Sequence, residues 1–377
     1  MRFDPDRIQT PAYVIDLQLL EANLRIMARV QDEARCKILL ALKAFAIWST
    51  FPLVRKYLAG AAASSLFEAQ LAREHLGGEL HLCAPAYREV DSAQLAEIAD
   101  HVVFNSFNQF AQFRDKFCSA KQNIHYGIRL NPEHSESAVD LYDPCSPNSH
   151  LGVRASECPT GLPSEIDGLH FHTLCESGAD ALERTLAVVE SSFSSQLKQV
   201  SWVNFGGGHH ITRPGYEIER LVDLIGAFRQ RWNVEVYLEP GEAVALNAGY
   251  LVASVLDIVA GDPPTAILDT SATAHMPDVL EMPYRPMVEG SGQSGEHSHT
   301  YRLAGITCLA GDVIGNYSFP APLRLSQRLV FLDMAHYTVV KNTMFNGVNL
   351  PSLVLLDNGE YHQQRVFQYA DYRNRLS

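Results

Sequence analysis

The sequence predicts an α/β fold: a (β/α)8 TIM barrel followed by a C-terminal all-β domain that the N-terminal strand joins. Three observations predict it. Short apolar or β-branched runs alternate with helical patterns about eight times, the number that closes such a barrel. After about residue 250 strand-like runs joined by Pro/Gly-rich turns replace the helical patterns. The length of 377 residues accommodates a barrel and a second domain.

The elements follow in order. PAYVID, from Pro11, is strand-like and precedes the first helix, which places it with the β domain. Leu17–Val30 has helical periodicity, with Asp16 as its N-cap and Glu21/Arg25 as an i,i+4 pair. The barrel strands are CKILLAL (from Cys36), GAAASS (from Gly60), ELHLCA (from Glu79), HVVFNS (from His101), IHYGIRLN (from Ile124), IDGLHFHT (from Ile166), VSWVNFGG (from Val200) and VEVYLEP (from Val234). Between them Ile47–Leu58, Phe67–Leu76, Phe107–Phe117, Ala179–Val189 and Tyr216–Phe228 place apolar residues three and four apart, as amphipathic helices do. Parallel strands need such crossovers. A doubly wound sheet is the alternative, but its phosphate loop follows the first strand, and the glycines here come late. Later strands are GYLVASVLDIVA (from Gly249), TAILDTSA (from Thr265), His299–Gly305, RLVFLDMAHYT (from Arg328) and SLVLLD (from Ser352); GSGQSG, Gly290–Gly295, reads as a mobile loop. The expected division is a barrel over 17–250 and a β domain of 1–16 with 251–377.

Composition narrows the partners. Apolar residues make up 46% and charged residues 19%, which is globular. The net charge of −13, without a Lys/Arg-rich run, argues against nucleic acid and anionic membranes and tolerates a cationic small molecule. The N-terminal stretch lacks the apolar core of a signal peptide, and no apolar stretch is long enough to span a bilayer. Cys36, Cys83, Cys118, Cys145, Cys158, Cys175 and Cys308 are odd in number and lack CxxC spacing, which suggests reduced thiols in the cytoplasm.

Barrel enzymes carry their chemistry where strands end. The first strand ends in Lys43, either a snorkelling lysine or an amine desolvated enough to form a Schiff base. The seventh ends in Gly206, Gly207 and Gly208, either a tight turn or a nest of N–H groups for a phosphate, feeding a helix N-terminus. The eighth ends in Glu239, which could be a surface acid or could face a pyridine nitrogen and keep it protonated. The sixth carries His170 and His172 on one strand face; core or stacking histidines fit better than a metal pair, and His297 and His299 give no better metal pattern.

This order of residues resembles the pyridoxal-phosphate-dependent decarboxylases of the alanine-racemase-like fold, which include ornithine, diaminopimelate and carboxynorspermidine decarboxylases. The resemblance spans nearly the whole chain. It implies pyridoxal 5'-phosphate as cofactor and no metal. LALKAF makes Lys43 the cofactor-holding lysine, FHTLCES makes His172 the ring that stacks on the pyridine, FGGGHH makes Gly206–Gly208 the phosphate loop, and LEPGEA makes Glu239 the nitrogen's partner. GITCLAGD makes Cys308 the proton donor and Asp312 a substrate-facing acid; MAHYTVVKNTMFNG makes Tyr337 a phosphate or ring contact. It also implies a homodimer in which Cys308 and Asp312 reach the partner's site. Two departures narrow the substrate. Glu242 stands where the family usually has a phosphate-binding Arg, and is expected to be free to face a cationic substrate. Leu309 follows Cys308, where ornithine decarboxylase has an acid. EPGEA with HFHTLCES is similar to the branch acting on carboxynorspermidine and carboxyspermidine, with Asp278 a second acid for the substrate amines. Diaminopimelate or another basic amino acid is the alternative substrate.

Overall fold

A computed structural model describes residues 3–118, 123–137 and 139–377, apart from the side chains of Cys118 and Asp140. The chain divides into two compact units. One comprises Ala22–Lys43 and Ile47–Val244; the other comprises Met1–Glu21, Ala44–Ala46 and Ala245–Ser377. These cuts stand beside the expected ones at 16/17 and 250/251.

In chain order the elements begin with strand β1 (Ala12–Asp16) and the helix Leu17–Ala34. Asp16 caps that helix as expected: its Oδ1 accepts the N–H groups of Gln18 and Leu19 at 3.0 and 3.1 Å. There follow β2 (Lys37–Ala41), β3 (Gly60–Ala63), β4 (Glu79–Cys83), β5 (His101–Phe104), β6 (His125–Asn131), β7 (Val153–Arg154), β8 (Ile166–His170), β9 (Trp202–Asn204) and β10 (Glu235–Leu238). They pair in parallel in the order β5-β4-β3-β2-β10-β9-β8-β6, and a β5–β6 pairing closes the ring of eight; β7 pairs with β6 at its edge. The barrel is therefore the one the alternation predicts.

Its crossovers differ in detail. Ile47–Leu58 is a 3-10 turn, Trp48–Thr50, and one α turn, Phe51–Val54, because Pro52 near the helix start has no N–H to donate. Phe67–Leu76 is an α-helix, Leu66–Leu71, that widens into a π-helix, Ala72–Leu76. The helix Ser92–Ile98 makes the crossover between β4 and β5.

The barrel interior is filled rather than hollow. Leu39, Ala62, Val103, Trp202 and Tyr237 form one buried cluster. The Trp202 indole explains the glycines of two strands. A Cβ on Gly168 would stand 1.8 Å from the indole, and one on Gly127 2.5 Å from it. Asp167 holds the ring by accepting Trp202 Nε1–H at 3.0 Å. At the N-terminal mouth, Lys37 Nζ lies 2.5 Å from Glu79 and 2.9 Å from Glu235, tying the starts of β2, β4 and β10. That end of a barrel serves stability, which leaves the opposite end for chemistry.

The second unit contains β11 (Gly249–Val259), β12 (Thr265–Leu268), β13 (His299–Ala304), β14 (Val313–Phe319), β15 (Arg328–Leu332), β16 (Ser352–Asp357) and β17 (Glu360–Arg365). β1 joins them as expected, antiparallel to β11 and parallel to β16. β1 is buried on both faces: Tyr13 enters one core with Leu251, Leu303 and Phe331, and Val14 enters another with Val252 and Val354. β11 serves three partners, β1 among them. Tyr250–Ser254 pairs with β15, and beyond an irregularity at Val255 and Asp257 the strand pairs with β12. Strands β14 and β17 were not expected.

The Gly290–Gly295 loop is anchored, contrary to the expectation of mobility. Gly292 N–H donates to Ser318 O at 2.9 Å, Ser318 N–H donates to Gly292 O at 3.2 Å, and His297 N–H donates to Ser318 Oγ at 2.9 Å. Gly292 is thereby bridged to β14, a partner the local pattern could not name. Among the described residues, no helix is long and apolar enough to cross a membrane.

Candidate active site

The polar residues singled out in the barrel lie where its strands end. Lys43 follows β2 by two positions. The backbone around it is tied on both sides: Ala41 N–H donates to Pro240 O at 3.2 Å, and Leu42 N–H to Ala62 O at 3.1 Å. Solvent reaches the Lys43 side chain, yet protein crowds it closely enough that desolvation lowers its pKa. Glu239 opposes that shift and Arg129 adds to it.

Lys43 Nζ stands 3.4 Å from His172 Nε2. His172 lies beyond β8, which ends at His170, so the two histidines do not share a strand face as expected. The extended pattern continued in the sequence, but Phe171 N–H turns to Asn204 O and the ladder ends there. His172 Nδ1 accepts the Gly207 N–H at 3.0 Å. Burial first, then Lys43 and Arg129, hold the ring's pKa well below the ordinary value. The neutral ring therefore carries its proton on Nε2, facing the amine, which is consistent with an unprotonated Lys43.

Gly206–Gly208 form a loop pressed against neighbouring backbone. A Cβ would lie 2.5 Å from Phe171 O at Gly206, 2.6 Å from Glu239 O at Gly207 and 1.9 Å from Leu174 O at Gly208. Gly206 and Gly208 also have φ of +69° and +83°. The loop does not feed a helix, contrary to expectation; the next one begins at Ile218. Two of its N–H groups are used internally, Gly206 on Asn204 Oδ1 at 2.8 Å and Gly207 on His172.

Glu239 follows β10 and is buried. Its Oε1 accepts from Asn204 Nδ2 at 2.7 Å, and its Oε2 lies 3.4 Å from His170 Nε2. Burial pushes its pKa up, but His170, His81 and the Asn204 amide outweigh burial and hold it down at about 2. Glu242 does not stand free as expected: its Oε1 lies 3.6 Å from His210 Nε2.

The remaining candidates lie in the sheet unit. Cys308 is exposed in the β13–β14 loop and donates its N–H to Asn346 Oδ1 at 2.7 Å. Asp312, four residues on, is buried. It accepts from Ser271 Oγ at 2.8 Å, Ala272 N–H at 2.7 Å and Thr307 Oγ1 at 2.6 Å, so its carboxylate holds the turn that carries Cys308. Tyr337 is half-buried with φ +47°, its N–H on Ala44 O at 2.9 Å. Asp278 is bonded to Lys341, whose Nζ also lies 2.5 Å from Glu281.

Sequence reasoning missed Arg129 and Asn204. Both are buried at strand ends, Arg129 in β6 and Asn204 in β9. Their signal was present: a lone guanidinium or amide inside an apolar run needs a partner. It also missed a cluster of Glu79, His81 and His101, whose ligand atoms lie within 4.8 Å of one another. Glu79 is already bonded to Lys37 and Tyr237, and the two imidazoles stack at 3.9 Å, which sets their lone pairs side by side instead of toward one ion. We therefore do not read it as a metal centre.

The match to known proteins extends over the chain. The family described as "Pyridoxal-dependent decarboxylase, C-terminal sheet domain" matches residues 12–335. The chain is 44% identical to the carboxynorspermidine/carboxyspermidine decarboxylase of Campylobacter jejuni, over 98% of this chain and 99% of that protein. It is 45% identical to the carboxyaminopropylagmatine decarboxylase of Synechocystis, over 98% and 96%. A crystal structure of carboxynorspermidine decarboxylase from Campylobacter jejuni, complexed with norspermidine, superposes with a TM-score of 0.91 at 43% identity, covering 98% of this chain and 100% of that one. The barrel residues fit the cofactor this family uses: an amine whose pKa burial lowers, an imidazole beside it held well below its ordinary pKa, a buried carboxylate kept ionised, and three glycines that admit no Cβ. The fold, the order of these groups and the full-length identity together show that this chain belongs to the pyridoxal-dependent decarboxylase family.

Proposed function

We propose that this enzyme decarboxylates carboxynorspermidine and carboxyspermidine, yielding norspermidine and spermidine in polyamine biosynthesis. The observation that carries the reading is Lys43 Nζ 3.4 Å from His172 Nε2, under the influence of ionised Glu239, in a chain alike from end to end to a carboxynorspermidine/carboxyspermidine decarboxylase.

Pyridoxal phosphate, when bound, supplies a ring that accepts the electron pair left when CO2 departs. Lys43 would tether it through Nζ, whose pKa desolvation lowers, favouring the nucleophilic form. Glu239 holds a proton on the ring nitrogen by its negative charge. His172 would hold the ring, and its bond to Gly207 fixes its orientation. The glycine loop and Tyr337 would hold the phosphate. Cys308 donates a proton to the carbon that lost CO2; Asp312 holds its turn and thereby places the thiol. Glu242 and Asp278 supply negative charge toward the substrate amines; Glu242 lies beside His210, and Asp278 shares its charge with Lys341.

We assign cofactor binding to 17–250, the sheet domain to 1–16 and 251–377, and the working form to a homodimer in which Cys308 reaches the partner's site; Asp312, expected to face the substrate, is instead buried beneath the Cys308 turn. The free thiols of Cys36, Cys83, Cys145, Cys158, Cys175 and Cys308 support a cytoplasmic location. The Synechocystis relative supports a second reading, in which the substrate is carboxyaminopropylagmatine and its far end a guanidinium. Carbon dioxide release from carboxynorspermidine, carboxyspermidine, carboxyaminopropylagmatine, diaminopimelate, ornithine and arginine decides. The expected result is the highest kcat/KM on the first two. A preference for the third selects the second reading, and a preference for ornithine or diaminopimelate overturns both.

A further inference from the structure

We propose that Asn204 is a positioning residue: its amide locks the Glu239 carboxylate to the first glycine of the phosphate loop, so that the groups for the cofactor's ring nitrogen and its phosphate are held as one unit. The proposal rests on the reading of Glu239 as the nitrogen's partner.

Asn204 ends β9 and is fully buried. Its two amide ends are told apart by their partners. Gly206 N–H can only donate, so the atom 2.8 Å from it is the oxygen. The nitrogen then faces Glu239 Oε1 at 2.7 Å, the correct polarity for an ionised carboxylate. Gly206 and Glu239 are also joined directly, because Glu239 N–H donates to Gly206 O at 2.7 Å. The result is a closed loop of hydrogen bonds through Asn204, Gly206 and Glu239. The second Nδ2 hydrogen faces His81 Nδ1 at 3.4 Å. His81 Nε2 lies 3.9 Å from Glu79 Oε2. A residue without a donor at 204 would leave a buried acceptor unmet and release Gly206.

The test compares wild type, Asn204→Ala and Asn204→Asp, each also in a Glu239→Ala background. Apoenzyme is titrated with pyridoxal phosphate for the dissociation constant, and the absorption band of the reconstituted protein is followed from pH 6 to pH 9. Asn204→Ala should weaken cofactor binding about tenfold or more and shift the midpoint of the band. The same change should have less than about a twofold effect once Glu239 is absent, since it acts through that carboxylate. Asn204→Asp is the conservative rescue. Protonated, it offers a donor to Glu239 and an acceptor to Gly206; ionised, it repels Glu239. Its affinity should approach wild type at pH 6 and fall as pH rises. His170, His81, Lys43, Arg129, Cys83 and His209 face Glu239 in every variant, so the difference between variants isolates position 204.

Wild-type affinity and spectrum in Asn204→Ala would overturn the proposal, as would equal losses with and without Glu239. Should the alanine variant fail to fold, a pH-independent affinity in Asn204→Asp overturns it alone. If Glu239→Ala by itself binds and absorbs like wild type, the reading of Glu239 falls and the proposal with it. If Glu239→Ala is impaired and Asn204→Ala is not, only the proposal falls.

Discussion

Gly168 shows how one missing carbon decides a core. A methyl there would overlap the Trp202 indole at 1.8 to 2.3 Å. Gly168→Ala should lose about 1–3 kcal/mol or more, read as a lower urea midpoint, and Trp202→Leu in the same chain should recover part of it. Lys43 carries the sharpest chemical prediction. Lys43→Ala should bind pyridoxal phosphate without a borohydride-fixable bond and release no CO2. Retention of a reducible adduct after dialysis would move the tether to another lysine.

At the scale of elements, the β13–β14 loop depends on a single buried carboxylate. Asp312 accepts from two hydroxyls and from backbone N–H groups on both the 271–273 and 305–312 segments. Asp312→Ala would leave several buried donors unmet and should cost about 2–4 kcal/mol in chemical denaturation. Asp312→Asn, with one acceptor oxygen, should recover about half of that. Activity lost in a still-folded Asp312→Asn would point to misplacement of Cys308. If instead Asp312→Ala unfolds at the wild-type midpoint, the carboxylate is not what holds the loop.

For the molecule as a whole, buried neutral histidines set the response to acid. Burial lowers His101 from 6.5 to about 2, and His209 and His275 to about 4. The unfolded chain takes up these protons near pH 6.5 and the folded chain does not, so the unfolded state binds more protons below that pH. Stability therefore rises with pH between about 4.5 and 6.5. Glu79 and Glu239, held down at about 2, contribute stability that is present above 4.5 and lost as pH falls toward 2. Glu68 and Asp269, raised by burial, act against the trend. Urea midpoints should climb from pH 4.5 to 6.5 and then level; a flat or falling profile contradicts the assignment. The proposed dimer makes its own prediction. Lys43→Ala and Cys308→Ala, each inactive, should on remixing regain about a quarter of wild-type activity, because half the dimers are mixed and each holds one intact site. No recovery alongside proven subunit exchange would place Cys308 in its own subunit's site.

The sequence by itself determined the barrel, the return of its first strand to the sheet unit, and the order of Lys43, His172, Gly206–Gly208 and Glu239. Alternation and strand-end chemistry are local, and each residue's spacing reports them. It determined less about the edges: Pro52 broke a predicted helix, and the polar β17, EYHQQR, had no apolar pattern to detect. Tertiary structure alone decided that His172 lies past its strand, that Asp312 faces inward to a turn, and that the Gly290–Gly295 loop is pinned. It alone gave Glu239 its charge. The groups responsible, Asn204, His170 and His81, lie 35, 69 and 158 positions away from Glu239 in the chain. A pKa depends on what folding packs beside a group and on how much water it removes, and neither quantity is written in the spacing of neighbours along the chain.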